Sequence, residues 1–178
     1  MIFETHAHYD DDAFDEDRDQ LLRSMYEHGI HRIINVGASL RGVADTVKLM
    51  EIYPFVYGAI GVHPDEVGDL TEEKMKWLRD LCDKEKTVAV GEIGLDYYWN
   101  KENHEVQKKW FVRQMDLAKE TDLPIIVHSR DAAKDTLDIM KGERADHISG
   151  VIHCYSYSVE HAREYMNTVL AMNQIEDY

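Results

Sequence analysis

Six residues in this chain have side chains suited to gripping a cation, and their spacing is regular. His6 and His8 form an H-x-H pair, followed by His63 in GVHP, Glu92 in GEIGLD, His128 in PIIVHSRD and His153 in VIHCYS. On a strand, residues i and i+2 point to the same face, so His6 and His8 can address one ion. Singly, each residue has an ordinary reading. His63 before Pro64 is a turn histidine bonded to backbone, Glu92 is an ion-pair partner for Arg130, and His128 and His153 are satisfied core histidines. Together they read as a metal site, because five such ligands meeting at one place are costly to bury without a cation to pair them. Imidazole with carboxylate suits a transition-metal ion better than calcium. Five ligands exceed the three plus water of one tetrahedral catalytic zinc. Two divalent ions bridged by Glu92 account for the set, and such pairs favour phosphoester hydrolysis, with C–N hydrolysis as a related chemistry. The other five histidines, His28, His31, His104, His147 and His161, fall between these motifs and read as surface or packing residues.

The elements that position these residues are short, β-branched apolar runs. Ile33–Gly37, Val56–Gly61, Val88–Glu92, Pro124–His128 and Gly150–His153 lack polar alternation, as expected of strands buried on both faces. Between them run amphipathic stretches marked by Leu21, Leu22 and Met25, then by Met75, Leu78, Leu81 and Cys82, then by Val106, Trp110, Leu117 and Ala118. Thr71 is suited to cap the second of these, with Glu72 and Glu73 in its first turn, and Gly29 sits where a helix would end. The strand ends at His6, Gly37, His63, Glu92, His128 and His153 recur at roughly 30-residue intervals, the length of one βα unit. Alternating β and α implies a parallel sheet. With the candidate ligands at the C-terminal strand ends, it implies a TIM-type α/β barrel, whose active sites lie on that face. Six strands are clear, and Thr168–Met172 is expected to begin a seventh.

The bulk composition narrows the partners. The 178 residues suit one domain, and 44% hydrophobic content is enough for a core. Acids outnumber bases 35 to 20, for a net charge of −15. No basic stripe grips a polyanion, so bound cations must supply the attraction if the substrate is nucleic acid. Cys82 and Cys154 form no disulfide framework and read as buried thiols of a reducing compartment. With no leader-like N-terminus and no long apolar run, a cytoplasmic protein without a membrane partner is expected.

The segments FETHAHYD, GVHPDEV, VGEIGLDYYWN, PIIVHSRDA and GVIHCYS, in this order, resemble the TatD family of metal-dependent deoxyribonucleases within the amidohydrolase superfamily, over Met1 to about Asn167. The resemblance implies a TIM barrel with a two-metal centre (Mg, Mn or Zn) and 3′→5′ exonuclease or general DNase activity, with DNA as substrate. It implies that His6 and His8 hold one metal, that Glu92 bridges both and serves catalysis, that His128 and His153 hold the second, and that His63 contacts the substrate phosphate. Asp96 and Arg130 fall in matching motifs without an assigned role. Glu4 stands where the family usually has aspartate, so a carboxylate is kept.

A barrel of this kind has about 250 residues. The tail TVLAMNQIEDY resembles neither the Gly-rich strand nor the E-T-D segment whose aspartate completes the first metal site, and the surroundings of Asp177 do not match. We therefore expect a C-terminally truncated domain over residues 1–178. It would be an incomplete barrel of six to seven βα units with an atypical tail at 168–178, part of the first metal site missing and activity impaired. Unpaired edge strands would invite oligomerisation. A non-catalytic metal-binding remnant and a small-molecule hydrolase of the same superfamily are the alternatives. The second usually bridges its metals with a modified lysine, where this chain has Glu92. Tyr97, Tyr98 and Trp99 are candidates to stack bases or to pack a loop.

Overall fold

A computed structural model describes residues 2–99 and 102–170. Six parallel strands alternate with six helices. The strands are β1 (Ile2–Ala7), β2 (Ile30–Val36), β3 (Val56–Ala59), β4 (Thr87–Asp96), β5 (Ile125–Arg130) and β6 (Gly150–Ile152). The helices are α1 (Arg18–Glu27), α2 (Leu40–Ile52), α3 (Glu72–Cys82), α4 (His104–Thr121), α5 (Ala133–Gly142) and α6 (Val159–Leu170). The strands pair in strict chain order from β1 to β6, all parallel, and form a curled half-barrel, as expected for an incomplete TIM-type barrel.

Alternation along the strands separates two faces. Ile33, Val56, Val90, Ile93, Ile125 and Val127 pack toward the helices, against Leu22, Leu49, Met75, Leu78, Phe111 and Met115. The intervening positions Ile34, Val36, Ala59, Ala89 and Ile126 make a smaller cluster on the opposite face. At the sheet margins β1 pairs only with β2 and β6 only with β5 among the described residues, and Ile2, Phe3 and Val151 there are exposed.

The caps act as the sequence leads one to expect. The Thr71 side chain accepts the Lys74 N–H at 3.3 Å and begins α3, with Glu72 and Glu73 in the first turn. Gly29 follows α1 at φ +95° with its N–H on the Tyr26 carbonyl, a left-handed position that glycine fills without strain.

Four expectations need correction. Thr168–Leu170 do not begin a seventh strand but end α6, while residues 171 and 172 lie outside the described part. A helix already nucleated from Val159 propagates through β-branched residues at little cost. Strand β4 runs on to Asp96, four residues past Glu92, because Gly94 lets β5 approach closely: a Cβ there would lie 2.0 Å from the His128 carbonyl oxygen. Val106 is exposed although it fits the apolar spacing of α4, whose buried face includes two polar residues, Gln107 and Gln114. Cys82 is buried as expected, but Cys154 is exposed, on a positive-φ residue just past β6.

Candidate metal centre

All six candidate residues reach the C-terminal face of the sheet, from different strands. His6 lies near the end of β1, His8 just beyond it, Glu92 within β4, His128 within β5 and His153 directly after β6. His63 is not on a strand. It caps a 3-10 turn, Pro64–Asp69, and its Nδ1 accepts the Asp65 N–H at 3.3 Å. The turn reading of His63 therefore holds alongside its place in the site. Five of the six, all but His6, line one open cavity of about 640 Å³.

Glu92 is the centre of the arrangement. It is 4% exposed, its Oε2 lies 3.5 Å from His6 Nε2, and its Oε1 lies 3.2 Å from His128 Nδ1. It makes no pair with Arg130. Burial alone would raise its pKa, but hydrogen bonds from His128 and His6 and their charge outweigh that and hold it well below the usual carboxylate range. The carboxylate is thus ionised and wedged between two imidazoles.

The second imidazole of the H-x-H pair is oriented from behind. His8 Nδ1 donates to the Val36 carbonyl at 2.8 Å, which leaves its Nε2 lone pair pointing forward, 3.2 Å from His6 Nε2. Fixing one ring nitrogen to a backbone carbonyl so that the other can ligate is a recurrent feature of metal-binding histidines. Glu4 Oε1 accepts the His6 N–H at 3.1 Å, so the carboxylate before the pair fixes the His6 backbone. Asn35, fully buried on β2, accepts the Tyr9 N–H at 2.6 Å and donates to Asp10 and to Thr46, anchoring the segment after His8.

The donor set fits divalent cations. His6, His8 and Glu92 bring one ligand atom each within 4.8 Å of one another, and so do His63, Glu92 and His128, the two groups sharing Glu92. His153 belongs to neither. Its ring stacks on His6 with centroids 3.5 Å apart and planes 6° from parallel.

Asp96 is the residue the sequence left without a role. It sits on the same face of β4 as Glu92, and its Oδ2 lies 3.0 Å from His128 Nε2. His128 therefore has a carboxylate at each ring nitrogen. Burial disfavours its imidazolium, but the hydrogen bonds and charges of Glu92 and Asp96 prevail and raise its pKa. His63 goes the other way: burial, reinforced by nearby His128, pushes it down to about 4. Asp96 also groups with His63 and Asp65 within 4.8 Å. The four-residue spacing in GEIGLD was the available signal, and it becomes legible once β4 extends to Asp96.

Two glutamines of α4 hold the backbone beneath these residues. Gln107 grips Asp96, and Gln114 accepts the Val62 N–H at 2.8 Å and donates to the Val62 carbonyl at 3.1 Å, one residue before His63.

Comparison with known proteins finds a family match and relatives over most of the chain. A family described as TatD related DNase matches residues 3–175. An uncharacterized metal-dependent hydrolase, YabD of Bacillus subtilis, is 42% identical over 166 residues, covering 93% of this chain and 65% of the relative. A 3′-5′ ssDNA/RNA exonuclease TatD of a Rahnella species is 28% identical, covering 96% and 65%. The crystal structure of YjjV, a TatD homologue from Escherichia coli, superposes with a TM-score of 0.84 at 29% identity, covering 94% and 65%. The chain thus spans about 65% of the length of these relatives.

Proposed function

This chain belongs to the family of TatD-related DNases, and from that premise we propose that it is a metal-dependent hydrolase of DNA phosphodiester bonds, acting from the 3′ end. The observation that carries the reading is the position of ionised Glu92 between His6 and His128, with His8 oriented beside it. Two divalent ions (Mg, Mn or Zn) would be held by this set, one by His6, His8 and Glu92, the second by Glu92 and His128, with His153, outside both groups, as its further ligand. Ions held there would supply Lewis acidity toward the phosphoryl oxygens and would acidify the attacking water.

The protein's own contribution is positioning and proton placement. Because His63 Nδ1 accepts a backbone N–H, its proton sits on Nε2. A neutral N–H donor there suits a phosphate oxygen. Asp96 orients His128, and Val36 orients His8. The net charge of −15 leaves attraction of DNA to the cations and to a few local bases. We place the protein in a reducing, cytoplasmic setting.

The test is a single-stranded DNA oligonucleotide labelled at either end and incubated with the chain and Mg or Mn. We expect progressive shortening from the 3′ end, lost in Glu92→Ala. Ion binding without any release of nucleotide would favour the non-catalytic remnant, and turnover of small esters or amides with DNA intact would favour the small-molecule hydrolase.

A further inference from the structure

We propose that Tyr98, Trp99 and Arg130 form a nucleotide subsite beside the centre, with the aromatic rings receiving a base and the guanidinium a phosphate. The proposal deepens the phosphodiester reading and rests on it for its place in a reaction. Arg130 ends β5 two residues after His128. Its guanidinium carbon lies 4.0 Å from the Tyr98 ring centroid and 5.5 Å from that of Trp99. The two rings meet edge to face at 4.7 Å. Arg130 makes no ion pair among the described residues, although acids dominate the chain. A guanidinium that lies on aromatic rings without a carboxylate partner is a place for an anion to land on an acidic molecule.

The rings are 45% and 68% exposed. Large aromatic surface left open is a place for a flat ring to stack, and such stacking tolerates any base. The platform is also tied rigidly to the centre. One oxygen of Asp96 accepts the N–H groups of Tyr98 at 2.8 Å and Trp99 at 3.0 Å, while its other oxygen contacts His128. A base held on these rings is therefore in fixed register with the ligands of the centre. Loop packing alone would cover the rings, as Trp110 is covered within the core cluster.

Calorimetric titration of the full chain with deoxyadenosine monophosphate, deoxyribose 5-phosphate and inorganic phosphate tests this without turnover. The intact chain should bind the nucleotide about tenfold more tightly than the base-free sugar phosphate, in keeping with one stacking contact. Trp99→Ala should lose that preference, Trp99→Phe should largely restore it, and Arg130→Gln should weaken both ligands. Melting temperatures should change little, since both residues are exposed. On an oligonucleotide, Trp99→Ala should raise KM about tenfold with a smaller change in kcat. Equal affinity for the nucleotide and the sugar phosphate, or a preference that survives Trp99→Ala, overturns the subsite. A Trp99-dependent preference in a chain that hydrolyses no DNA sustains the subsite and removes the nuclease reading instead.

Discussion

Gln107 holds Asp96 by both of its backbone groups: its Oε1 accepts the Asp96 N–H at 2.9 Å, and its Nε2 donates to the Asp96 carbonyl at 2.9 Å. The side chain is fully buried, so neither bond has water as an alternative. Strand β4 thus ends against a helix that supplies the pairing a neighbouring strand would otherwise give. Gln107→Leu keeps the volume and strands both backbone groups. It should cost about 2–6 kcal/mol, from the usual penalty of about 1–3 kcal/mol per buried unsatisfied group. Urea unfolding measures it, and an unmoved midpoint would show that the Asp96 backbone finds other partners.

Ion binding should stabilise the fold through Glu92. A ligand at about 100 times its Kd adds roughly 2.7 kcal/mol. We expect the melting temperature to rise on adding Mn and to fall back with a chelator, and Glu92→Ala to abolish most of the rise. A full rise in that variant would place the ions elsewhere.

Asp135 should contribute a pH-dependent increment at the far end of the aromatic loop. Its carboxylate is held below 3.8 by the Lys108 ammonium first and the Tyr97 hydroxyl second. A carboxylate with a depressed folded-state pKa stabilises above its unfolded value, and the gain is lost as pH falls through the lower one. The pair is about one-third exposed, so the increment should stay under about 1 kcal/mol. The stability gap between the wild type and Asp135→Asn should therefore be present at pH 7 and close below about pH 3.8. A gap unchanged at pH 3 contradicts the charge argument.

The two thiols should differ sharply. Burial pushes Cys82 up to about 12, so it is protonated and shielded at neutral pH, whereas Cys154 is exposed. A maleimide reagent should label one thiol in the native chain and two in denaturant, with Cys154→Ser removing the native label. Rapid native labelling at Cys82 would mean that α3 opens readily.

The edges of β1 and β6 that are unpaired among the described residues should promote association. Ile2, Phe3 and Val151 expose apolar surface next to unpaired strand margins. Light scattering across concentrations should show self-association, reduced by Phe3→Lys with Val151→Lys. A strict monomer at all concentrations would mean that these margins do not attract another copy.

Much of this architecture was legible because most of the βα units carry a residue of distinctive chemistry at or near the C-terminal end of the strand. His6, Glu92, His128 and His153 mark four of the six units, and their spacing made the fold and the candidate site readable. Asp96 was harder to see. Glu92 looked like the natural end of a strand, and nothing local shows that Gly94 permits four more residues. The supports were harder still. Gln107, Gln114 and Asn35 are polar residues at buried positions, and sequence patterning reads polarity as exposure. Their role depends on which backbone groups lie opposite, a property of packing. Thr168–Leu170 misled for the opposite reason, since their local preference for strand yields to the helix that precedes them.

The strictly serial strand order has a consequence for how the molecule is made. Each strand docks on the one synthesised just before it, so none must wait for a later segment before pairing. Contacts between consecutive units are close in sequence, which shortens the loops to be closed and speeds folding. The sheet can grow on the ribosome one unit at a time, and its first two strands can pair before β4, which carries Glu92, has been translated.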